Sequence, residues 1–556
     1  MTAAMSNAEI ADRLAALGQL LAASKENPYK VRAYRRAAAV IRSLGESIDE
    51  LVREDIDLTQ YPGIGDAIAS AIREIVQSGT LRKLEDLRAQ APPEIAGISE
   101  YPRLDPKRVT RVYKKLGIAS TVELRERLES GEIGRVFGAR LADHVRQGLM
   151  ESHAMLLYHA DGLAESVERY LRERCPVRRV QAVGDYRRRV EVIEELAFLV
   201  ETDDFAAVVA KLERYGGRTP LVSSRRGCAI FALPAGIRLR VDAATQEQWG
   251  TVLIRHTGST RHLRRLVRVT GSLKKAGTFP TEDAFYRHAG LQLIPPELRE
   301  GYDEVRLAAE GRLPALISVD QIRGDLHAHT VASDGSHTIE QMATAARDRG
   351  YEYIGITDHS QSLKIARGVS IEDMWTQIRA IDQINERGPG IRILKSAEVD
   401  ILADGSLDYP DEVLRELDYT VCSIHSRFGL GREEQTERLL RAMDNPYFQI
   451  LGHATGRLLL KRPGYDIDFE RVVAHAAQRG CFFEINSSPD RLDLSAENAR
   501  LAAAAGVKIA INTDSHSTPE FRLIRYGVDQ ARRAGLSADQ VLNAWPLERL
   551  LDAFRR

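Results

Sequence analysis

Cysteine is scarce: the chain has four in 556 residues, at positions 175, 228, 422 and 481, with no CxxC pair. That spacing excludes a disulfide scaffold and a zinc knuckle. Cys422 and Cys481 sit inside apolar strand-like runs, so buried, reduced thiols and a cytoplasmic compartment are expected. Long hydrophobic runs are missing too. No stretch reaches the ~20 apolar residues a membrane helix needs. The N-terminal MTAAMSNAEI is polar and small, unlike a secretory leader, so no membrane partner is expected. Net charge is nearly absent, at −1, but the balance hides an asymmetry. Residues 1–320 carry 49 Lys and Arg against 44 Asp and Glu, an excess of +5, whereas residues 321–556 carry 29 against 35, or −6. The basic residues cluster in YRRRV (186–190) and RHTGSTRHLRRLVR (255–268). Such clusters can neutralise phosphates; a solvated basic face is the alternative for either one alone.

A chain of this length exceeds one hydrophobic core, so three to five domains are expected. From residue 351 onward one design recurs. A short apolar run, readable as a buried parallel strand, ends in a metal-capable side chain, and an amphipathic helical stretch follows. YIGITDH ends at His359, RILKSAE at Glu398, YTVCSIH at His425 and FQILGH at His453. CFFEIN carries Glu484 and Asn486, and VKIAINTDSH ends with Asp514 and His516. Just upstream, GDLHAHTVASDG supplies His327, His329 and Asp334. Alternating strands and helices predict a parallel sheet covered on both faces, with chemistry at the C-terminal strand ends. One histidine at a strand end is ordinarily structural, and His337 and His475, on helical stretches, are assigned that role. Six histidines and three carboxylates converging on one rim would be costly to desolvate without cations, and this favours metal.

DLHAHTVASDG, TDHS, the glutamate of SAEVD, SIHS, LGHATGR and NTDSH together resemble the PHP domain, the polymerase and histidinol phosphatase superfamily, from about residue 320 to the C-terminus. The resemblance implies a distorted seven-stranded β/α barrel with three divalent metal ions and phosphoester hydrolysis as the chemistry. It implies one ion on His327, His329, Glu398 and Asp514, and a second on Glu398, His425 and His453. A third falls to Asp334, His359 and His516. Glu398, Asp514 and His425 are the expected catalytic residues. Zinc, manganese or iron suits such mixed imidazole and carboxylate donors, and the resemblance implies manganese or zinc. Arg367, Arg427 and Arg457 could grip a second phosphate, with surface ion pairs as the alternative for each.

In the first half, two amphipathic helices surround KENPYKVRAYRRAAAVI, and LTQYPGIGDAIASAIREI follows. The PGIG turn opening a helix is a helix-hairpin-helix signal: Gly63 and Gly65 let backbone N–H groups approach a phosphate. The pair resembles the N-terminal domain of X-family DNA polymerases, and Lys30 matches a phosphate-binding position there. A second hairpin, EYPRLDPKRVTRVYKKLGI (100–118), has Arg103 and Asp105 where glycines are expected, leaving Lys107, Arg108 and Arg111 for side-chain contacts. AVGDYRRRVEVIEELAFLV, GIRLRVDA, WGTVLIRHTGSTRH and GLQLIPPELRE correspond in order to the palm and thumb of bacterial X-family polymerases carrying a C-terminal PHP domain. The implied boundaries are 1–90 for the helix-hairpin-helix domain, 91–150 for a fingers-like domain, 151–250 for the palm, 251–315 for the thumb and 320–556 for the PHP domain.

The resemblance also marks losses. Two-metal nucleotidyl transfer needs clustered carboxylates. The family's Asp-x-Asp falls on Glu195 and Ala197, and its third Asp on Arg238, a permanent cation where a metal belongs. Gly184-Asp185 replaces the Gly-Ser before the paired arginines, and Arg255 and His256 replace an aromatic pair. The position of the Schiff-base lysine falls on Ala71, and the neighbouring Arg73 cannot form that adduct. Glu194 or Asp242 could substitute as ligands, though Asp242 lies about 13 Å beyond Arg238 along a strand. The expectation is a monomeric, metal-dependent 3′–5′ exonuclease or 3′-end phosphoesterase of DNA repair. Its polymerase half would bind gapped or 3′-ended DNA without extending it. The alternatives are an active gap-filling polymerase with proofreading, and a phosphatase or DNA-end-binding scaffold.

Overall fold

The computed structural model describes residues 5, 7–23, 26–44, 46–90, 106–118, 121–138, 141–142, 145, 154–233, 237–271 and 277–555. Chain contacts divide it into two compact units. The first holds residues 1–187, 192–259 and 266–289, and the second holds 188–191, 260–265 and 290–556. Among the described residues no helix is long and apolar enough to cross a membrane. None of the four cysteines forms a disulfide, and Cys422 and Cys481 are buried.

The first unit opens with helices α1 (Asn7–Ala23), α2 (Pro28–Ser43) and α3 (Asp66–Ser78). Asn27 caps α2 by accepting from the Tyr29 N–H, and Pro28 stands at its first turn, where a missing N–H costs nothing. Leu14, Leu17, Ile41, Ile72 and Ile75 lie at helical spacing and are fully buried in one core. Helix α4 (Pro106–Leu116) follows. Further on, a mixed sheet has the order β1-β2-β5-β4-β3. Its strands are β1 (Arg179–Val183), β2 (Glu195–Glu201), β3 (Leu221–Arg225), β4 (Cys228–Ala232) and β5 (Arg238–Ala243). Strands β2 and β5 run parallel, with Glu195 opposite Arg238 and Ala197 opposite Arg240.

The second unit alternates strand and helix. It runs β6 (Gly324–Ala328), α5 (Ile339–Asp348), β7 (Tyr353–Ile356), α6 (Ile371–Glu386), β8 (Arg392–Lys395) and β9 (Glu398–Asp400). It continues with β10 (Val421–Ser423), α7 (Arg432–Met443), β11 (Ile450–Leu451), α8 (Phe469–Arg479), β12 (Phe482–Asn486), α9 (Ala496–Ala504) and β13 (Ile509–Asn512). Every pairing among these strands is parallel. They form two sheets, β8-β7-β6 and β9 through β13 in sequence order. Parallel bridges from Ala328 to Ser515 and from His359 to Glu398 join the sheets at their C-terminal ends.

The period of two along each strand sorts the side chains. Leu326, Tyr353, Leu394, Val421, Ile450, Phe482 and Ala510 pack together in one cluster. Their chain neighbours Ile354, Ile393, Cys422, Leu451, Phe483 and Ile509 pack in another, with helix residues such as Met342, Ile378, Leu439 and Val472. Both strand faces are therefore buried, which explains the continuous apolar runs in the sequence. Only the C-terminal strand ends are left for polar chemistry.

The packing is tight enough to test at one glycine. A methyl on Gly355 would lie 1.7 Å from the Tyr419 hydroxyl, which donates to the Leu326 carbonyl at 2.7 Å. Gly355→Ala should cost on the order of 3 kcal/mol, read by calorimetry as a lowered midpoint for the second unit's transition. An unchanged midpoint would show that Tyr419 yields freely.

Candidate metal centre

Nine side chains gather where strands β6, β7, β8, β10, β11 and β13 end, Glu398 opening β9 just after β8. Glu398 is at the centre, and its side chain is 1% exposed. One carboxylate oxygen, Oε1, lies 2.9 Å from His453 Nε2 and 3.4 Å from His425 Nε2. The other, Oε2, lies 2.8 Å from His359 Nδ1, 3.5 Å from His327 Nε2 and 3.7 Å from His329 Nε2. Asp514 Oδ1 is 3.0 Å from His329 Nε2 and 3.5 Å from His327 Nε2. Asp334 Oδ1 faces His516 at 3.3 Å, His359 at 3.5 Å and His329 at 3.9 Å. Asp334 and His516 are the most exposed members, each by about a third, and they mark the open side.

A second layer of carboxylates orients the imidazoles. His327 Nδ1–H donates to Glu484 at 2.7 Å and His425 Nδ1–H donates to Asp400 at 2.5 Å. Each bond fixes the tautomer and turns the ring's Nε2 toward Glu398, as outer partners of metal-binding histidines do. His516 Nδ1–H likewise donates to the Asp514 carbonyl at 2.8 Å, directing Nε2 at Asp334. Glu484 also accepts from the His453 backbone N–H and the Asn512 amide. Asp358 holds the loop after β6 by accepting from Thr330 and Ser333.

The charges are unusual for a protein interior. Burial opposes ionisation of Glu398, yet His425, His359 and His327 hold it well below the ordinary carboxylate range. Asp514 is depressed in the same way against its burial, chiefly by His327 and His329. Burial opposes protonation of His425, yet Glu398 and Asp400 push it up to about 10. Asp334 and Asp514 push His516 up to about 9 against the same burial. His329 goes the other way, to about 4, through burial and its neighbour His359. Protons on imidazole thus stand where cations would balance the carboxylates.

The donor set fits divalent ions. Three buried imidazole nitrogens, Nε2 of His327, Nδ1 of His329 and Nδ1 of His359, lack a well-aligned hydrogen bond and face only carboxylate oxygens that they share with other imidazoles, a costly state for polar atoms away from water. Atoms about 2.1 Å from one tetrahedral ion stand about 3.4 Å apart, within the 3.0–3.7 Å spread around His327, His329, Asp514 and Glu398. Three groups have ligand geometry among the described residues: His329, Asp334, His359 and His516; His327, His329 and Asp514; and His359, Glu398 and His425. The groups share His329 and His359, so the partition is more interleaved than the sequence expectation, in which His453 joined Glu398 and His425. His337 and His475 stand apart, the first accepting from the Thr518 N–H and the second 3.0 Å from Asp444.

Backbone strain concentrates at the same rim. His453 (φ 27°), Asp514 (φ 55°), Arg367 (φ 58°) and Arg427 (φ 55°) adopt left-handed conformations without being glycine, and functional sites are where such strain persists. Arg367 and Arg427 are exposed. Arg457 is committed to structure, donating to the backbone carbonyls of Arg491 and Leu492 and to Glu191. Sequence reasoning passed over Arg491, whose Nε lies 3.9 Å from Asp514. No motif flags it; only the fold brings SSPDR back to the rim.

In the first unit, Arg240 takes the place expected of Arg238. Arg240 Nε is 3.0 Å from Glu195 Oε1 and 3.5 Å from Asp242 Oδ2, and it is one quarter exposed. Arg238 is more than half exposed and lies 4.0 Å from Glu195. The reason is steric: Arg240 sits opposite Ala197, whose methyl leaves room for a guanidinium. Asp242 leans back toward this cluster and also meets His256 Nδ1 at 3.1 Å, so its carboxylate is much nearer Glu195 than the strand rise alone suggests.

The cluster YRRRV is spent on ion pairs rather than left open. Arg187 forks onto Glu282, Arg188 reaches Glu300 and Arg189 reaches Asp529. In the second basic stretch, Arg255, Arg264 and Arg268 are exposed. Gly63 has φ 99°, and Gly65 precedes α3 with open space where a side chain would stand. Ala71 is buried and Lys30 is exposed near Glu26. Lys107 and Arg108 fall on α4, whereas Arg103 and Asp105 lie outside the described residues.

Comparison with known proteins agrees with both halves. A helix-hairpin-helix domain family matches residues 5–81, and the PHP domain family matches residues 325–488. The chain is 34% identical over 548 residues to the DNA polymerase/3′-5′ exonuclease PolX of Bacillus subtilis (strain 168), covering 94% of this chain and 95% of that protein. It is 32% identical over 230 residues to a probable phosphatase of Thermoanaerobacter sp. (strain X514), covering 39% of this chain and 89% of the relative. A probable phosphatase of Syntrophotalea carbinolica is 29% identical over 239 residues, 41% of this chain and 94% of the relative. Helix-hairpin-helix domain in front, PHP domain behind and near-full-length identity between them together mean that the chain belongs to the PolX family of X-family DNA polymerases.

Proposed function

We propose that this protein is a metal-dependent 3′–5′ exodeoxyribonuclease or 3′-end phosphoesterase of DNA repair, with a polymerase core that binds DNA without extending it. Residues 320–556 then form the distorted seven-stranded β/α barrel of a PHP domain. Residues 1–90 and 91–150 form helix-hairpin-helix and fingers-like domains, 151–250 the palm and 251–315 the thumb. DNA contacts come from Gly63, Gly65, Lys30, Lys107 and Arg108. A monomeric, cytoplasmic protein suits this role. The observation that carries the reading is the contrast between two acidic sites. One gathers six imidazoles and two further carboxylates around or near the buried Glu398; the other has two acids, Glu195 and Asp242, with the Arg240 guanidinium between them.

The nine residues His327, His329, Asp334, His359, Glu398, His425, His453, Asp514 and His516 would hold the ions, three by the family's pattern, as manganese or zinc. Such ions supply an activated water and Lewis-acid stabilisation of charge on phosphate oxygens. In the hydrolysis, a water oxygen bonds to the phosphorus of the terminal nucleotide. The bond from phosphorus to the 3′-oxygen of the preceding nucleotide breaks, and that oxygen takes up a proton. Glu398 and Asp514 fix the reacting region, and Asp400 and Glu484 keep His425 and His327 in the binding tautomer. Asp334 and His516, at the open side, are reached first by the phosphate. Exposed Arg367 and Arg427 add positive charge for the next phosphate.

Three tests follow. Manganese-stimulated release of nucleotides from a 3′ end should fall at least about 100-fold in His327→Ala, and survival of that release would sink the assignment. Asp400→Asn should weaken metal binding by about 10- to 100-fold in a direct titration. Metal must displace protons from His425 and His516, so binding should release protons near pH 7 and tighten as pH rises. Calorimetry in buffers of different ionisation heat reads this directly.

The second reading, an active gap-filling polymerase, is favoured by the proximity of Glu195 and Asp242. Primer extension on gapped DNA with magnesium or manganese, abolished by Glu195→Ala, would establish it. The expected result is no extension.

A further inference from the structure

The turn that follows the metal-cluster residue His359 ends in the most exposed large apolar side chain among the described residues. Ile365 is 92% exposed. It sits in a short turn, Lys364–Ala366, between exposed Lys364 and exposed Arg367. Isolated surface hydrophobics need no explanation in general, but this one is held out by a braced support.

The base of the turn closes directly on His359, where the Val369 N–H donates to the His359 carbonyl at 2.8 Å. The Ser362 N–H donates to Asp408, and its hydroxyl donates at 2.6 Å to Asp400, the same carboxylate that orients His425. The Tyr409 hydroxyl donates to the Val369 carbonyl at 2.6 Å. Gly368 packs so closely on Ser360 that an added methyl would lie 2.0 Å from its carbonyl oxygen. Ala366 and Val369 are buried beneath, so the turn already has its apolar anchors and Ile365 adds nothing to them. The loop after the adjacent parallel strand β6 carries a second exposed aliphatic residue, Val331 at 48%, between His329 and Asp334.

We infer that Ile365, flanked by Lys364 and Arg367, is a wedge that separates the last base pair of a DNA duplex and so delivers a frayed 3′ nucleotide to the Glu398 cluster. The inference rests on the proposed hydrolysis of DNA 3′ ends. Glu398 is almost wholly buried, and a phosphate that reaches its neighbours does so more readily from an unpaired terminal nucleotide than from a stacked pair. Unpairing is therefore favoured at the rim, and unstacking a base step costs a few kcal/mol. A rigid aliphatic side chain that takes the place of the lost stacking partner offsets this cost. The two flanking cations meet the phosphates on either side of the parted step.

The test replaces Ile365 by Ser, a change that leaves the buried anchors intact. With metal chelated, the protein is mixed with a duplex carrying 2-aminopurine as its paired 3′-terminal base, a probe that brightens when unstacked. The wild-type protein should brighten the probe, and Ile365→Ser should bind the duplex yet lose most of the brightening. Equal brightening in the two proteins, or none with wild type, would overturn the wedge. With manganese, the ratio of nucleotide release from a paired end to release from a single-stranded end should fall at least tenfold in the variant. An unchanged ratio would overturn it as well. The fluorescence measurement involves no cleavage, so absence of release from either end by the wild type would count against the proposed hydrolysis alone.

Discussion

Everything at the C-terminal rim answers to a single carboxylate. Glu398 is almost wholly buried and faces five imidazoles within 3.7 Å. A charge taken out of water must be repaid by opposite charge at close range, so the residues around it cannot be chosen independently. Ligand-capable groups have to arrive from six different strands, and each needs a partner behind it to keep the correct nitrogen forward. Asp400 and Glu484 fill that role, and the loop above His359 is tied to Asp400 in turn. The parallel strands meet this requirement because they all present their C-terminal ends to one side.

The mixed sheet of the first unit solves a similar problem by other means. Two acids on neighbouring parallel strands, Glu195 and Asp242, also need countercharge, and here it comes from a side chain of the same sheet. The substitution that makes this possible is the small one. Ala197 neither contributes a negative charge nor fills the space opposite Arg240. The arginine therefore folds over the position, and His256 Nδ1 stands 3.1 Å from Asp242. One site sets many imidazoles around shared carboxylates; the other sets one guanidinium between two acids.

Much of this was legible in the order of residues. Strand-end histidines and acids stand out because an apolar run that stops at an imidazole has no packing reason to do so, and all nine converge. The alternation of strands and helices was equally plain, since both strand faces are buried and their runs are continuously apolar. Side-chain reach across a sheet was harder to read. Arg238 looked like the intruding cation because it aligns with Glu195, but the space belongs to the residue opposite Ala197, and only the register reveals that. The same holds for Arg457 and the arginines of YRRRV. Their partners Glu191, Glu282, Glu300 and Asp529 are remote in sequence, so a basic run reads as open charge until folding spends it. The helix-hairpin-helix turn lies between these cases. Gly63 needs its left-handed backbone, whereas Gly65 is set apart only by the free space around it.

The ion pair between Arg240 and Glu195 has a consequence for any cation that approaches this sheet. A guanidinium tethered to the strand acts as a built-in competitor, so a dissolved cation drawn to Glu195 and Asp242 has to contend with it. Without the arginine, Glu195 would keep Arg238 at 4.0 Å and Asp242 would keep His256 at 3.1 Å. An acid introduced at position 197 would stand opposite Arg240. The two positions are coupled, and a change at either is felt at the other.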